Sequence, residues 1–149
     1  MHVTFSTVCL AQRTAYPEPP LDFKYSPNLD SLCYRYENYL KHKETITGMG
    51  YFCLSLLEWE SGGRKKTSLK YSIEYGLLKK LGELTSTKGD LREARKLELK
   101  KDAKPVALSD AERTWIVEVV RRIILRKGEY DFDPKAKLKT ITLEDFLKI

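Results

Sequence analysis

The sequence predicts an all-α bundle of four or five helices, with an extended arm before it and a short tail after it. Three observations carry that prediction. Apolar residues recur at three- and four-residue spacing through most of residues 28–128, the period of a helix that buries one face. Capping residues and glycines fall between those stripes, where helix starts and stops need them. Pro17, Pro19, Pro20 and Pro27 crowd the opening residues, where a ring without an N–H opposes a helix interior. The expected divisions are an arm over 1–27, a helical domain over 28–128 and a tail over 129–149.

Each element follows from local chemistry. VTFSTV at the start alternates well enough for one short strand. YPEPPLDFKYSP then reads as extended, with Tyr16, Phe23 and Tyr25 laid on the helical body. The first helix is expected from Asn28 or Asp30, either of which can cap exposed amides. Its stripe is Leu29, Leu32, Cys33, Tyr36 and Leu40, and a second stripe runs from Ile46 through Met49, Phe52, Cys53 and Leu56 to Leu57. These read as one long, interrupted helix over about 30–60. Gly48 and Gly50 mark a bend, or a close approach of another backbone. Ser61-Gly62-Gly63 ends the helix. A short helix over 64–71, a turn at 72–74 and a helix over 75–86 come next. Gly89 reads as a stop, and Asp90 as the cap of a further helix to about 101 with Leu91, Ala94 and Leu97 on its weaker face. Pro105 separates this from the clearest signal, the capping box Ser109-Asp110-Ala111-Glu112. Behind it Trp115, Ile116, Val119, Val120, Ile123 and Ile124 form a broad buried face, which Gly128 is expected to close. In the tail, Thr142 can cap a last turn carrying Leu143, Phe146 and Leu147, expected to pack on the body.

Composition narrows the function classes. The chain has 149 residues, 42% apolar and 32% charged, which is enough for a core and excludes wholesale disorder. No apolar run approaches the ~20 residues of a membrane-spanning helix. The formal charge of +6 is localised. Residues 1–63 hold five Lys/Arg against seven Asp/Glu, residues 64–104 thirteen against six, and residues 105–149 nine against eight. An anionic partner is therefore expected at 64–104. Cys9, Cys33 and Cys53 form no disulfide framework and no metal knuckle, and they point to a reducing compartment with the cytoplasm as default. No HxxxH, HExxH or CxxC spacing supports a metal, and no cofactor is expected.

Three constellations bear on chemistry. Arg35 and His42 stand seven residues apart, on one side of the expected first helix. Arginine steadies phosphate charge and histidine moves protons near neutral pH, a pair suited to RNA cleavage. Leu69, Tyr71, Ile73, Leu77, Leu78 and Leu81 give the skeleton of a helix-turn-helix, decorated by Lys65, Lys66, Lys70, Lys79, Lys80 and Lys88. Base reading there would fall to Glu74, Tyr75 and Gly76, none of them Arg, Asn or Gln, and an ordinary helical hairpin leaves the same trace. TSTKGD over 85–90 lacks the order of a phosphate loop and reads as a helix stop and cap. Asp131 and Asp133 are expected to be solvated in the tail.

Arg35-x6-His42 resembles the loose Arg/His signature of HEPN ribonucleases, with Tyr36 where that family favours a polar residue. GMGYFCLSLLE at 48–58, LLKKLGELTSTKGDLREARK at 77–96 and LSDAERTWIVEVVRRII at 108–124 resemble the helical part of uncharacterised bacterial proteins laid out like degenerate HEPN bundles. The resemblance spans about 30–128 and implies a helical bundle, with dimerisation as a family habit. The leading expectation is a non-catalytic interaction module, open to homodimerisation and not membrane-embedded. Lys65, Lys66, Lys70, Lys79, Lys80 and Lys88 would meet an acidic partner or a nucleic-acid backbone. The alternatives are a HEPN-type ribonuclease using Arg35 and His42, and a DNA-binding helix-turn-helix over 64–86.

Overall fold

In the computed structural model, residues 22–88 and 106–149 are described. The VTFSTV strand, Cys9, Tyr16, most of the arm, and the helix expected over 90–101 with Gly89 and Pro105 lie outside them. Among the described residues the architecture is an all-α bundle of five helices. They are α1 Pro27–Leu40, α2 Ile46–Ser61, α3 Arg64–Tyr71, α4 Tyr75–Ser86 and α5 Asp110–Phe132, followed by a 3₁₀ turn at Leu143–Asp145.

α1 starts one step earlier than its sequence suggests. Ser26 is the cap, its Oγ accepting from the Leu29 amide at 3.3 Å, and Pro27 takes the first helical position. Pro27 therefore belongs to the helix and not to the arm. The long helix expected over 30–60 is two helices. The break falls at residues 41–45, where the apolar stripe lapses, and not at the glycine pair. His42 adopts φ +57, which turns the chain, and Thr45 Oγ1 accepts from the Gly48 amide at 3.0 Å to start α2. Gly50 instead serves packing, because a Cβ there would lie 2.8 Å from Thr85 Cγ2 and 3.3 Å from Ile116 Cγ2. α2 thus sits close to α4 and α5 at the centre of the bundle. It ends at Gly62, whose φ of +83 suits a residue without a Cβ.

The core joins the predicted stripes. Leu29, Leu32, Cys33 and Tyr36 of α1 meet Met49, Cys53 and Leu57 of α2, with Leu77, Leu78 and Leu81 of α4 and the Trp115–Ile124 face of α5. Burial of this apolar surface is the main stabilising term. The capping box of α5 forms as its sequence predicts: Ser109 Oγ accepts from the Glu112 amide at 3.1 Å, and Glu112 Oε2 accepts from the Ser109 amide at 2.9 Å.

Gly128 does not close α5, which continues to Phe132, so the helical body extends past 128 and the tail begins at Asp133. The reason lies in the arm. Phe23 crosses α5 at Gly128, where a Cβ would stand 2.0 Å from the ring, and the Lys24 amide donates to Gly128 O at 3.0 Å. A smooth helix surface is needed there, and glycine provides it.

The tail folds back on the body. Ile141 is buried and pairs in parallel with Ile73, its amide donating to Ser72 O at 3.0 Å while its carbonyl accepts from the Glu74 amide at 2.8 Å. The Thr142 amide donates to Asp145 Oδ2 at 2.8 Å in the last turn. Phe146 then meets Trp115 edge-on, at 6.3 Å between ring centroids, while Leu147 stays exposed.

Candidate interaction surface

The basic hairpin is built by α3 and α4. Gly62 and Gly63, both with positive φ, reverse the chain after α2. Arg64 then reaches back to Glu58 at 2.5 Å, and its guanidinium lies against Gly82 of α4. The start of α3 therefore sits beside the second half of α4. Thr67 and Tyr71 face the core, which turns Lys65, Lys66 and Leu69 outward.

The six predicted lysines do not share one face. Lys65 and Lys66 are exposed on α3, and among the described residues neither has an acidic partner. Lys79 is exposed on α4, with only a loose 3.9 Å pairing to Glu83. Lys70 lies over the rings of Tyr71 and Tyr130, at 5.1 and 5.3 Å from their centroids. Lys80 turns towards α5, 5.3 Å from the Trp115 ring centroid. Lys88 is committed to Glu112 at 2.6 Å. Burial alone would raise the Glu112 pKa, but bonds from Lys88 and the Ser109 amide outweigh it and hold it low. The outward basic set is thus Lys65, Lys66 and Lys79. Six more Lys/Arg of the segment (Arg92, Arg95, Lys96, Lys100, Lys101 and Lys104) lie in residues outside the described structure.

The base-reading positions of a helix-turn-helix are partly occupied by the tail. Glu74 Oε2 accepts from the Leu143 amide at 2.7 Å, and the Leu143 side chain lies against Gly76. Tyr75 remains half exposed.

Arg35 and His42 are placed apart in function. α1 ends at Leu40, so His42 lies beyond the helix and the shared face expected from the spacing does not exist. Arg35 binds Glu44 through Nε, at 2.6 and 2.7 Å, and through Nη2, and stacks over Phe52 at 4.1 Å. It borders a depression with Asp30, Ser31, Tyr34 and Phe52. His42 is exposed and borders a different cavity, with Tyr39, Lys43, Thr45 and Arg113. Glu44 stands between the two. Among the described residues no His/Cys/Asp/Glu cluster is placed to hold a metal ion.

A buried polar network escaped the sequence reading. Tyr71 Oη donates to Glu60 Oε2 at 2.7 Å, Lys127 reaches Glu60 at 3.1 Å and Asp131 at 2.9 Å, and Ser26 Oγ donates to Asp131 at 2.8 Å. Asn28 also donates to Glu60. Asp131 is therefore part of α5 and bonded, not solvated in a tail, whereas Asp133 accepts from the Lys135 amide at the surface. Arg126, 1% exposed, donates to the Tyr71, Ser72 and Lys139 carbonyls and to Glu129. A signal was present: the α5 stripe would continue through 127 and 131, and charged residues stand there four apart. Charges on a core face imply buried pairing.

No family model matches this chain, no curated protein matches it, and no solved structure matches it. Among the described residues no helix is long and apolar enough to cross a membrane.

Proposed function

We propose that the chain is a non-catalytic helical interaction module whose α3–α4 hairpin meets an anionic partner, a nucleic-acid backbone or an acidic protein. One observation carries the reading. Lys65, Lys66 and Lys79 point outward from the α3–α4 hairpin, and Lys65 and Lys66 are spent on no acidic neighbour among the described residues. Packed helices hold the backbone that carries these lysines in place, so docking has only their side chains to order. The engagement of Arg35 by Glu44 supports a non-catalytic reading, since the ribonuclease alternative needs that guanidinium for a phosphate. Free, buried Cys33 and Cys53 support a reducing, cytoplasmic setting. Homodimerisation belongs to the same proposal and is read by light scattering on the same samples.

The test is a salt series with three probes: single-stranded RNA, duplex DNA and polyglutamate. Phosphate contacts lower log K linearly with log salt by about 0.9 per contact on duplex DNA. Lys65→Glu and Lys66→Glu should each weaken binding of the responding probe and flatten that slope by about one. If none of the three probes binds at low salt, the proposal fails. RNA cleavage that His42→Ala abolishes would instead revive the ribonuclease.

A further inference from the structure

The turn between α3 and α4 is closed locally by Ser68, whose Oγ donates to Ile73 O at 2.6 Å and whose carbonyl accepts from the Ile73 amide at 3.0 Å, and it is also held from outside. Ser72 sits in the left-handed region, at φ +50 and ψ +57, where a residue with a Cβ is strained. Two donors clamp its carbonyl: the Ile141 amide at 3.0 Å and Arg126 Nη1 at 2.8 Å. The same Nη1 reaches Tyr71 O at 2.7 Å, while Nη2 reaches Lys139 O at 2.7 Å and Nε reaches Glu129 at 2.9 Å. One guanidinium therefore grips the turn with one arm and the tail with the other. Its plane is rigid, so a shift of either carbonyl disturbs the other.

The tail returns the grip. Its Ile141 carbonyl accepts from the Glu74 amide, and its Leu143 amide donates to Glu74 Oε2. Beyond these bonds the tail is lightly held, by buried Ile141, by Leu143 and by Phe146 against Trp115. Residues 133–137 before it are exposed, an eight-residue reach back from Ile141 to the end of α5. Such a segment opens locally at low cost, well before the core does.

We propose that residues 139–146 are a latch on the α3–α4 hairpin, and that Arg126 makes latch docking and turn closure one cooperative event. Latched, Ser72 is kept in its left-handed conformation and α3 stays fixed against α4. Unlatched, the clamp on Ser72 O loses a donor, Arg126 loses the Lys139 carbonyl, and the start of α4 loses both bonds to the tail. The hairpin then relaxes to a second geometry, with a different spacing between Lys65 and Lys66 on α3 and Lys79 on α4. The device stands whatever binds that surface, because its readout needs no partner.

The test is amide hydrogen exchange on the full chain. Phe146→Ala weakens the far end of the latch and touches neither Arg126 nor the turn. It should speed exchange about tenfold in 139–146 and also in 70–75, while the middles of α1 and α2 stay as in the parent. Ser72→Gly relieves the strained conformation from the other side, so exchange in 139–146 should slow. Both variants leave the core intact, so folding is preserved. The proposal is overturned if Phe146→Ala speeds exchange in 139–146 alone, or if Ser72→Gly leaves the tail at its parent rate.

Discussion

Gly50→Ala is a direct probe of how the bundle closes. In an uncrowded helix interior the change should stabilise, because alanine favours the helix by about 0.8–1 kcal/mol over glycine. Here the new methyl would stand 2.8 Å from Thr85 Cγ2 and 3.3 Å from Ile116 Cγ2. Carbon pairs prefer roughly 3.5–4.0 Å, so α2 and α4 must part by several tenths of an ångström. Thr85 cannot turn aside freely, since it is fully buried and its Oγ1 donates to Leu81 O at 2.7 Å. Overpacking of this kind costs about 1–3 kcal/mol, which leaves a net loss of about 0–2 kcal/mol after the helix gain. Urea unfolding measures it, with the midpoint falling and the slope unchanged. Thr85→Ser removes the crowding methyl and keeps the hydroxyl, at a cost of about 1 kcal/mol on its own. In the double variant the methyl introduced by Gly50→Ala fills the space vacated by Thr85→Ser. The pair should therefore lie near the parent, with a coupling of about 1–3 kcal/mol. A stabilised Gly50→Ala, or a cycle additive to within about 0.5 kcal/mol, would refute the close approach of α2 and α4.

Three further predictions follow from the same geometry. Ser109→Ala removes one half of the α5 capping box and should destabilise by about 1 kcal/mol in thermal or urea unfolding, with no effect on probe binding. Burial pushes the Glu60 carboxyl up, but hydrogen bonds from Tyr71, Asn28 and Lys127 outweigh it and hold its pKa below 4.5. A depressed folded pKa contributes stability that is present above the unfolded value and is lost as pH falls through the folded one. The stability–pH curve should accordingly drop below about pH 4.5, and Glu60→Gln should flatten that limb; an unchanged limb counts against the network. Cys33 and Cys53 are both buried, and burial also pushes the Cys53 thiol well above its usual range; both should resist a thiol reagent in the folded Cys9→Ser variant and react as urea unfolds it.

The capping signals at Ser109 and Thr142 and the turn at 72–74 were legible because they are decided within three or four residues. So were the apolar stripes, whose period is the helix period. The break at 41–45 was harder. Each flanking stripe keeps helical spacing within itself, and the polar gap between Leu40 and Ile46 is short enough to fit inside one helix; the Thr45 cap and the left-handed His42 make it a break. Gly128 misled for a related reason: a glycine after an apolar stripe usually stops a helix, but here Phe23 from a hundred residues away uses it as a landing place.

The candidate surface divides in the same way. Net charge per segment is additive along the chain, so the basic character of 64–104 could be counted. Which lysines remain outward is a matter of partners distant in sequence. Glu112 takes Lys88, Trp115 draws Lys80 and the Tyr71–Tyr130 pair draws Lys70. The Arg35–His42 pairing rested on a helix continuing past Leu40, and Glu44 claims Arg35 only because the chain turns there.

By itself, then, the sequence determined that this chain forms helices, where most of them begin and end, and where its positive charge is concentrated. Those properties depend on backbone hydrogen bonds and side-chain spacing within one or two turns. Tertiary structure alone decided that Arg126 and Lys127 are buried, that the tail locks the α3–α4 turn, and that Lys65, Lys66 and Lys79 are left facing outward. A buried charge is tolerated only where several distant groups converge to satisfy it, and that convergence exists only once the helices have packed.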